Sequence, residues 1–251
     1  MRAIIVIPAR YGSTRLPAKP LLAQTGKYLV QHVYERACRA RRASDVLVAT
    51  DDERIVQAVQ SFGGRVVLTA SDHATGTDRV AEVARRYPAD IVVNLQGDEP
   101  QTDPEALDYV IELLEEHPAA DMATLAAPLR SREKYLDRHT VKVVLADDGR
   151  ALYFSRAPIP CVRDGEPEWE SESLHFLQHL GLYAYRRPAL LRLAASPPSY
   201  LEALEKLEQL RALSLGMRIQ VGIVAQAGMA IDTWEDYHAF VAWWNQQRQA
   251  A

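Results

Sequence analysis

The chain has 251 residues, 48% of them hydrophobic and 25% charged, with a formal net charge of −4. This length and composition are typical of one large α/β domain with a well-filled core. The slightly acidic charge argues against a general nucleic-acid-binding protein, so we expect no nucleic-acid partner. No apolar segment approaches the roughly 20 residues of a membrane span. The two cysteines, Cys38 and Cys161, form neither a disulfide framework nor a metal spacing, which favours a cytoplasmic location.

A short apolar run, Ala3 to Ile7, predicts a buried strand, and Pro8 is expected to end it because proline has no N–H for a sheet ladder. The loop that follows carries three cations, Arg10, Arg15 and Lys19, among small residues. Backbone amides and fixed positive charges are what a polyphosphate site requires. The spacing matches neither the Walker loop nor the dinucleotide fingerprint. From these residues alone, a solvated basic loop is an equally good interpretation.

The rest of the first half alternates between helices and strands. The pattern predicts strands at Asp45–Thr50, Arg65–Thr69 and Asp90–Leu95, and helices at Tyr28–Arg42, from Asp51 or Asp52 to Phe62, at Thr77–Arg86 and from Pro104 to His117. This order predicts a mostly parallel sheet with right-handed crossovers. Ligands bind beyond the carboxyl ends of such strands. The loops after Ile7, Thr69 and Leu95 are therefore expected to form one site.

The second half reads as a β-rich insertion followed by helices. Strands are predicted at Met122–Pro128, Val141–Ala146, Ala151–Phe154, Gly181–Tyr185 and Ile219–Ala225, with a hairpin turn at Asp148-Gly149. Helices are predicted at Pro188–Ala195 and Leu201–Leu215, and Thr233 to Asp236 forms a capping box for a last helix. The acidic segment 163–172 lacks periodicity and is interpreted as a mobile loop. One domain over residues 1–251, with an insertion at roughly 130–190, is the simplest organisation.

Polar residues follow the third and fourth strands. After Thr69 comes SDHATGTDR, whose simplest role is to cap the next helix through Thr77 or Asp78. Asp98 follows the fourth strand, and Asp232 directly precedes the last helix, where helix–dipole compensation is the simpler role. Mg²⁺ takes one or two carboxylates together with phosphate oxygens. On one sheet edge, these groups together indicate metal-assisted nucleotidyl transfer.

The chain resembles the 3-deoxy-D-manno-octulosonate (KDO) cytidylyltransferases. The resemblance rests on IPARYGSTRLPAKPL, VATDDERI, DHATGTDRVAE, VNLQGDEP, ALYFSRAPIP, FLQHLGLYAYR, LEALEKLEQLRAL and AIDTWEDY, which occur in that order. It implies a three-layer α/β/α nucleotide-diphospho-sugar transferase fold with a mostly parallel mixed sheet. It also implies the reaction CTP + KDO → CMP-KDO + pyrophosphate in lipopolysaccharide precursor synthesis, with Mg²⁺ and a homodimer formed through the insertion. The chemistry of comparable sites indicates two Mg²⁺ ions.

The resemblance also implies a role for individual residues. The catalytic set would be Lys19, Arg10, Arg15 and Asp98. The CTP-binding set would be Pro8, Ala9, Arg10, Arg15, Lys19, Asp72, His73, Thr75 and Gly76. The sugar-binding set would be Gln96, Arg156, His179, Tyr183, Glu208 and Gln209. The metal ligands would be Asp98 and Asp232.

Some alternatives stay open at this point. The family pattern has a glycine after Pro17 where this chain has Ala18, which restricts the loop if the position needs a positive φ. His179 is also interpretable as a packed strand histidine. An 8-amino analogue of KDO or another acidic sugar such as a sialic acid would be compatible with the same chemistry. A non-catalytic nucleotide-binding protein on this fold is the rival from a different class.

Overall fold

A computed structural model describes residues 1–12, 16–165, 169, 176–226, 228 and 230–250. The strands are β1 (Ala3–Ala9), β2 (Ala43–Thr50), β3 (Val66–Leu68), β4 (Ile91–Asn94), β5 (Met122–Pro128), β6 (Lys142–Leu145), β7 (Ala151–Ser155), β8 (Leu177–Arg186) and β9 (Ile219–Ile223). The helices are α1 (Leu29–Ala37), α2 (Glu53–Ser61), α3 (Gly76–Arg86), α4 (Pro104–Glu116), α5 (Arg132–Leu136), α6 (Arg187–Ala195), α7 (Tyr200–Glu205), α8 (Gln209–Ser214) and α9 (Trp234–Ala250). A 3₁₀ turn spans Lys19–Leu21.

The chain divides into two compact units. The first comprises Met1–Asp108 and Gly228–Ala251, and the second comprises Tyr109–Ala227. Both units are mixed α/β, which is the fold class that the sequence predicts. Within the described ranges, none of the helices combines the length and the apolar character that a bilayer crossing requires. The interpretation of residues 1–251 as a single functional domain stays a prediction.

The first unit is built on parallel strands in the order β3-β2-β1-β4. Every residue of β1 is buried, as expected for a strand covered on both faces. The prediction that Pro8 ends this strand is wrong, because Pro8 and Ala9 continue the register with β2. The pairing of β1 with β4 ends at Val6, opposite Asn94. Beyond that point the proline interrupts no ladder with β4, which explains why it is tolerated there.

Side-chain caps set where the helices of the first unit begin. Asp52 caps α2 by accepting a hydrogen bond from the backbone N–H of Arg54 at 2.9 Å, as predicted. The prediction that Thr77 or Asp78 caps α3 is wrong. Thr75 is the cap, and Asp78 closes a capping box by accepting from the Thr75 N–H at 3.0 Å. The helix therefore begins one residue early, at Gly76, because the carboxylate three residues after Thr75 completes the box.

A cluster of buried side chains holds the start of α9 in the first unit. It consists of Leu16, Leu29, Ile231, Tyr237 and Phe240. The predicted capping box is present, since Asp236 Oδ2 accepts from the Thr233 N–H at 2.8 Å. Packing on one side and the cap on the other fix the short segment that carries Asp232.

The second unit has strands of mixed direction. β5 pairs antiparallel with β8 and parallel with β9, and β6 pairs antiparallel with β7 and β8. The hairpin predicted at Asp148-Gly149 joins β6 to β7, and Gly149 has φ 78°. Only glycine adopts this backbone region without a steric penalty, so the turn prediction has a physical basis.

One long helix was expected at Leu201–Leu215, and this prediction is wrong. The segment forms two short helices, α7 and α8, separated at Lys206, whose φ is 53°. Apolar periodicity runs through both helices, so the pattern alone does not reveal the break. Most of the predicted mobile loop at 163–172 lies outside the described residues.

Candidate active site

Three loops of the first unit meet around Pro8. A side chain built at Gly97 would place its Cβ 2.8 Å from the Pro8 carbonyl oxygen, and one at Gly76 would lie 3.4 Å from Pro8 Cγ. The loops after β1 and β4 and the start of α3 are therefore in direct contact at the carboxyl ends of parallel strands. The expected convergence is confirmed, and Gly97 is required there because any larger residue would collide with backbone.

Lys19 is the centre of the charged groups at this edge. Its amine donates to Asp98 Oδ2 at 2.6 Å and to the Ile231 carbonyl at 2.7 Å, and Asp232 Oδ1 lies 3.6 Å away. The Ile231 N–H donates to the Asp98 carbonyl at 2.9 Å, which ties the segment before α9 to the loop after β4. Three distant parts of the sequence thus bring one ammonium and two carboxylates together.

The residue before Lys19 adopts a left-handed conformation. Ala18 has φ 52° and ψ 31°, so the position does need a positive φ. For a residue with a Cβ this costs about 1–2 kcal/mol. The backbone that presents Lys19 is therefore held in a strained turn by its surroundings.

Arg10 contacts the loop expected to recognise the nucleotide base. Its Nη1 donates to the Ala74 carbonyl at 3.2 Å, whereas its buried Nη2 has no hydrogen-bond partner among the residues that the structure describes. Burial, and secondly the nearby Arg79 charge, lower the pKa of the Arg10 guanidinium. A buried donor without an acceptor is costly. An anionic ligand would supply the missing acceptor.

Two side chains of α3 support that same loop from beneath. Arg79, only 1% exposed, pairs with Asp51 at 3.0 Å and donates to the Thr69 hydroxyl and the Ala70 carbonyl. Glu82 accepts from the Ala70 N–H at 3.0 Å and from the ring of His73. Sequence reasoning missed both supporting residues. Their spacing of three on one helix face, directly after the loop they hold, was the available signal.

The loop after β4 holds two further polar groups. Gln96 donates to Asn94 Oδ1 at 3.1 Å, and Asn94 donates to the Thr77 hydroxyl at 3.3 Å, so a chain of hydrogen bonds links Gln96 to α3. Burial, and secondly the adjacent Asp98 charge, raise the pKa of Glu99 to about 7. The sequence analysis did not single out Glu99, because a carboxylate next to Asp98 looks like one more acidic loop residue.

In the second unit, Arg156 directly follows β7 and is anchored along its side chain. Its Nε donates to the Glu205 carbonyl at 2.7 Å, and its Nη1 donates to the Arg138 carbonyl at 2.9 Å. Both acceptors are backbone carbonyls, which carry no net charge, and the part of the chain that the structure describes shows no ion pair of this guanidinium. Such a group suits a carboxylate ligand.

His179 lies within β8 as a buried side chain. Its Nε2 is 3.0 Å from the Thr124 hydroxyl, and its ring packs edge-on against Phe154 at 4.9 Å and beside Tyr183 at 5.4 Å. Burial lowers the pKa of His179 to about 3, so the ring is neutral near pH 7. These are the contacts of a packed strand histidine, and a sugar-contacting role for His179 stays a prediction.

The remaining predicted residues fall into two groups. Glu208 and Gln209 are consecutive at the start of α8, where Glu208 accepts from Arg211 at 2.7 Å and Gln209 is buried. Arg15 lies outside the described residues. In the first unit, Lys19, Asp98 and Asp232 are thus in contact with one another and Arg10 contacts the loop that carries Ala74, whereas the predicted groups of the second unit lie along β7, β8 and α8.

Comparisons with known proteins agree on one family. A family model described as cytidylyltransferase matches residues 4–219. A 3-deoxy-manno-octulosonate cytidylyltransferase of Geobacter sulfurreducens is 51% identical and covers 94% of this chain and 96% of its own length. One of Rhodopirellula baltica is 49% identical, covering 96% and 98% respectively. A solved structure of CMP:2-keto-3-deoxy-manno-octonic acid synthetase complexed with CTP has a TM-score of 0.92 at 44% identity, covering 98% of this chain and 100% of that chain.

Proposed function

The chain belongs to the family of 3-deoxy-manno-octulosonate cytidylyltransferases, and we propose that it makes CMP-KDO and pyrophosphate from CTP and KDO. The single observation that carries this proposal beyond family membership is the convergence of Asp98 and Asp232 on the Lys19 amine. Because the fold alone does not establish an activity, these groups at one sheet edge are the evidence from the site itself. Nucleotidyl transfer to an acid requires such groups.

The reaction is an in-line displacement at the α-phosphorus of CTP. The anomeric hydroxyl oxygen of the sugar bonds to this phosphorus, the bond to the bridging oxygen of pyrophosphate breaks, and the hydroxyl proton passes to solvent. The protein supplies position and charge rather than covalent chemistry. Arg10, Arg15 and Lys19 are proposed to hold the triphosphate, since Arg10 Nη2 has no hydrogen-bond partner among the described residues and the Lys19 amine carries a positive charge at the same sheet edge.

Asp98 and Asp232 are proposed to bind Mg²⁺. Both carboxylates lie against one positive charge, that of Lys19, so their oxygens suit a cation. The described residues contain no cluster of three or more histidine, cysteine or acidic side chains for a metal, which suits Mg²⁺ because it takes several ligands from substrate oxygens and water. Bound there, the ion would stabilise the negative charge of the phosphates and the sugar acid.

The second unit is proposed to recognise the sugar. The Arg156 guanidinium donates to neutral backbone carbonyls, and its positive charge matches the carboxylate of a sugar acid. Tyr183, Glu208 and Gln209 of this unit, together with Gln96 of the first unit, would contact the sugar hydroxyls, and His179 would do so as a neutral ring. Pro8, Ala9 and the segment from Asp72 to Gly76 are proposed to recognise cytidine.

The proposal is tested by pyrophosphate release from CTP and Mg²⁺ with three sugar acids: KDO, its 8-amino analogue and a sialic acid. We expect release with KDO and its loss in EDTA. Preference for the 8-amino analogue would preserve the chemistry and change the substrate. CTP binding without turnover for all three acids would establish the non-catalytic alternative and refute the proposed function.

A homodimer formed through the insertion at roughly 130–190 is also proposed. Three large apolar side chains of this region are exposed, Leu136, Leu152 and Val162. Such residues are common at subunit contacts. Analytical ultracentrifugation would reveal a species of twice the 28.1 kDa chain mass, and a monomer at micromolar concentration would contradict the proposal. A cytoplasmic location is proposed as well, because Cys38 and Cys161 are both free thiols.

A further inference from the structure

Arg156 is fixed at four points by residues that no part of the proposed function uses. Its backbone N–H donates to Glu205 Oε2 at 2.6 Å, and its carbonyl accepts from the Lys142 amine at 2.8 Å. Its Nε and Nη1 donate to the carbonyls of Glu205 and Arg138, as described above. Side chain and backbone are thus restrained together, which is more than a surface arginine needs.

Glu205 connects Arg156 to other residues of the second unit. Its carboxylate also accepts from the Ser155 hydroxyl at 2.9 Å and from the Tyr153 hydroxyl at 3.3 Å. Its carbonyl is available to the Arg156 Nε because α7 ends there, where Lys206 turns into the left-handed region. The helix break that the sequence pattern hides therefore creates an acceptor for the guanidinium.

Lys142 restrains the other side of Arg156. Its side chain is fully buried, and its amine donates to the carbonyls of Asp137, Thr140 and Arg156 at 2.8, 2.5 and 2.8 Å. The same loop carries Arg138, whose carbonyl accepts from the guanidinium. Burying an ammonium costs free energy. Here that cost is offset by three hydrogen bonds that join the loop to Arg156.

We propose that Glu205 and Lys142 are positioning residues that aim the Arg156 guanidinium at the carboxylate of the sugar substrate. This inference rests on the proposed function, because it takes a sugar acid as the ligand of Arg156. Neither residue is proposed to touch substrate. Their removal is expected to weaken recognition of the sugar and to leave recognition of CTP unchanged.

The test compares kinetic constants for pyrophosphate release in Glu205→Ala, Glu205→Gln, Lys142→Met and Arg156→Ala. For Glu205→Ala we expect the KM for KDO to rise by ~10-fold, as when a hydrogen bond to a charged group is lost, and the KM for CTP to stay within about twofold. Glu205→Gln keeps one acceptor and should recover part of the loss. Leu204→Ala, an exposed position on the same short helix, is the matched control.

The double variant Arg156→Ala/Glu205→Ala separates positioning from general damage. If Glu205 acts through Arg156, the double variant is no worse than Arg156→Ala alone. Additive losses, or an equal rise in the KM for CTP, would overturn the inference. Lys142→Met leaves three carbonyls without a donor, so circular dichroism is needed to show whether this variant folds. If it does not fold, the Glu205 variants still test the inference.

A readout independent of turnover keeps this inference distinct from the proposed function. The backbone N–H proton of Arg156, which donates to the Glu205 carboxylate, should exchange slowly with solvent in NMR spectra of the unmodified protein and rapidly in Glu205→Ala. Equal exchange in both would overturn the positioning role. No product from the unmodified protein with any sugar acid would refute the proposed function, while the exchange rates would still report whether Glu205 holds Arg156.

Discussion

Two fully buried basic side chains, Arg79 in the first unit and Lys142 in the second, are stabilised in opposite ways. In the first unit, Arg79 is paired with the carboxylate of Asp51, so the buried charge is balanced. In the second unit, the acceptors described for the buried Lys142 amine are three backbone carbonyls. Burial lowers the pKa of Lys142, although nearby carboxylates counteract this effect. An arginine keeps its proton wherever it lies, whereas a buried lysine keeps it only while its acceptors stay in place.

This difference fits what each unit is proposed to bind. The first unit is proposed to bind a triphosphate through cations that include Arg10 and Lys19, while Arg79 is engaged by Asp51. The second unit is proposed to bind a single carboxylate, for which direction matters more than total charge. Carbonyl acceptors restrain Lys142 and Arg156 without neutralising either of them.

The largest expected effect is the loss of turnover when a charged group proposed to act at the reacting atoms is replaced. Replacing a charged group that only supports the fold should have little effect on turnover. Lys19→Met and Asp98→Asn should each lower kcat by ~10²-fold or more, as when one preorganised electrostatic donor is lost. Steady-state pyrophosphate release measures this effect. Lys27→Met is the matched control, since Lys27 forms an exposed pair with Glu35 in the same unit. Near-normal turnover in either site variant would contradict the assignment of Lys19 and Asp98.

The next effect compares the two buried cations directly. Arg79→Met leaves the Asp51 carboxylate without its partner and should lower the free energy of unfolding by about 3 kcal/mol. Lys142→Met removes a costly buried ammonium together with its hydrogen bonds, so the expected loss is smaller, about 2 kcal/mol. Urea denaturation at pH 7 measures both values. Partial recovery of stability in Arg79→Met/Asp51→Asn would support the description of Arg79 and Asp51 as an ion pair. A larger loss of stability for Lys142→Met than for Arg79→Met would contradict the expected order.

The sequence predicts the first unit better than the second. Apolar runs alternate there with capped amphipathic helices, and each strand–helix pair is specified locally by residues such as Asp52 and Pro104. The same reasoning fails at Pro8, because tolerance of a proline depends on where the pairing with the neighbouring strand stops. That information is not local, so no window of sequence contains it.

Site residues follow the same division. Lys19 and Asp98 were proposed from their positions in loops after predicted strands, and Asp232 from its position before the last helix, whereas the approach of Asp232 to Lys19 depends on the packing of α9 and is not visible in the sequence. Roles of Arg79, Glu205 and Lys142 were missed because their partners are backbone groups or lie far along the chain. A hydrogen bond to a backbone group does not require a particular residue type at the acceptor position, so it produces no recognisable sequence motif.

A pH dependence of stability should arise in both units, because each buries one neutral histidine. Burial lowers the pKa of His32 to about 4 and that of His179 to about 3, from an ordinary value of 6.5. Below pH 6.5 the unfolded chain takes up these protons and the folded chain does not. Stability therefore falls as pH drops from about 6.5 towards 4, by up to about 1.4 kcal/mol per pH unit for each ring.

Unfolding free energies at pH 7 and pH 5 would measure this loss in the unmodified protein, His32→Gln and His179→Gln. Each substitution should remove the contribution of one histidine and so make stability less dependent on pH. An unaltered slope in His179→Gln would mean that the ring is already accessible to protons in the folded protein.

The smallest expected effect concerns backbone strain, which is found at one described non-glycine residue in each unit. Ala18 and Lys206 both have φ near 50°, and each lies beside a group that contacts a proposed ligand-binding residue. Glycine relieves about 1–2 kcal/mol of left-handed strain and adds about 0.5–1 kcal/mol of unfolded-state entropy. Ala18→Gly and Lys206→Gly should therefore each raise the free energy of unfolding by up to about 1.5 kcal/mol, measured by urea denaturation. If the strain serves positioning, Ala18→Gly should lower kcat through Lys19, and Lys206→Gly should raise the KM for KDO through the Glu205 carbonyl. A gain in stability with both constants unchanged would show that the strain is incidental to the site.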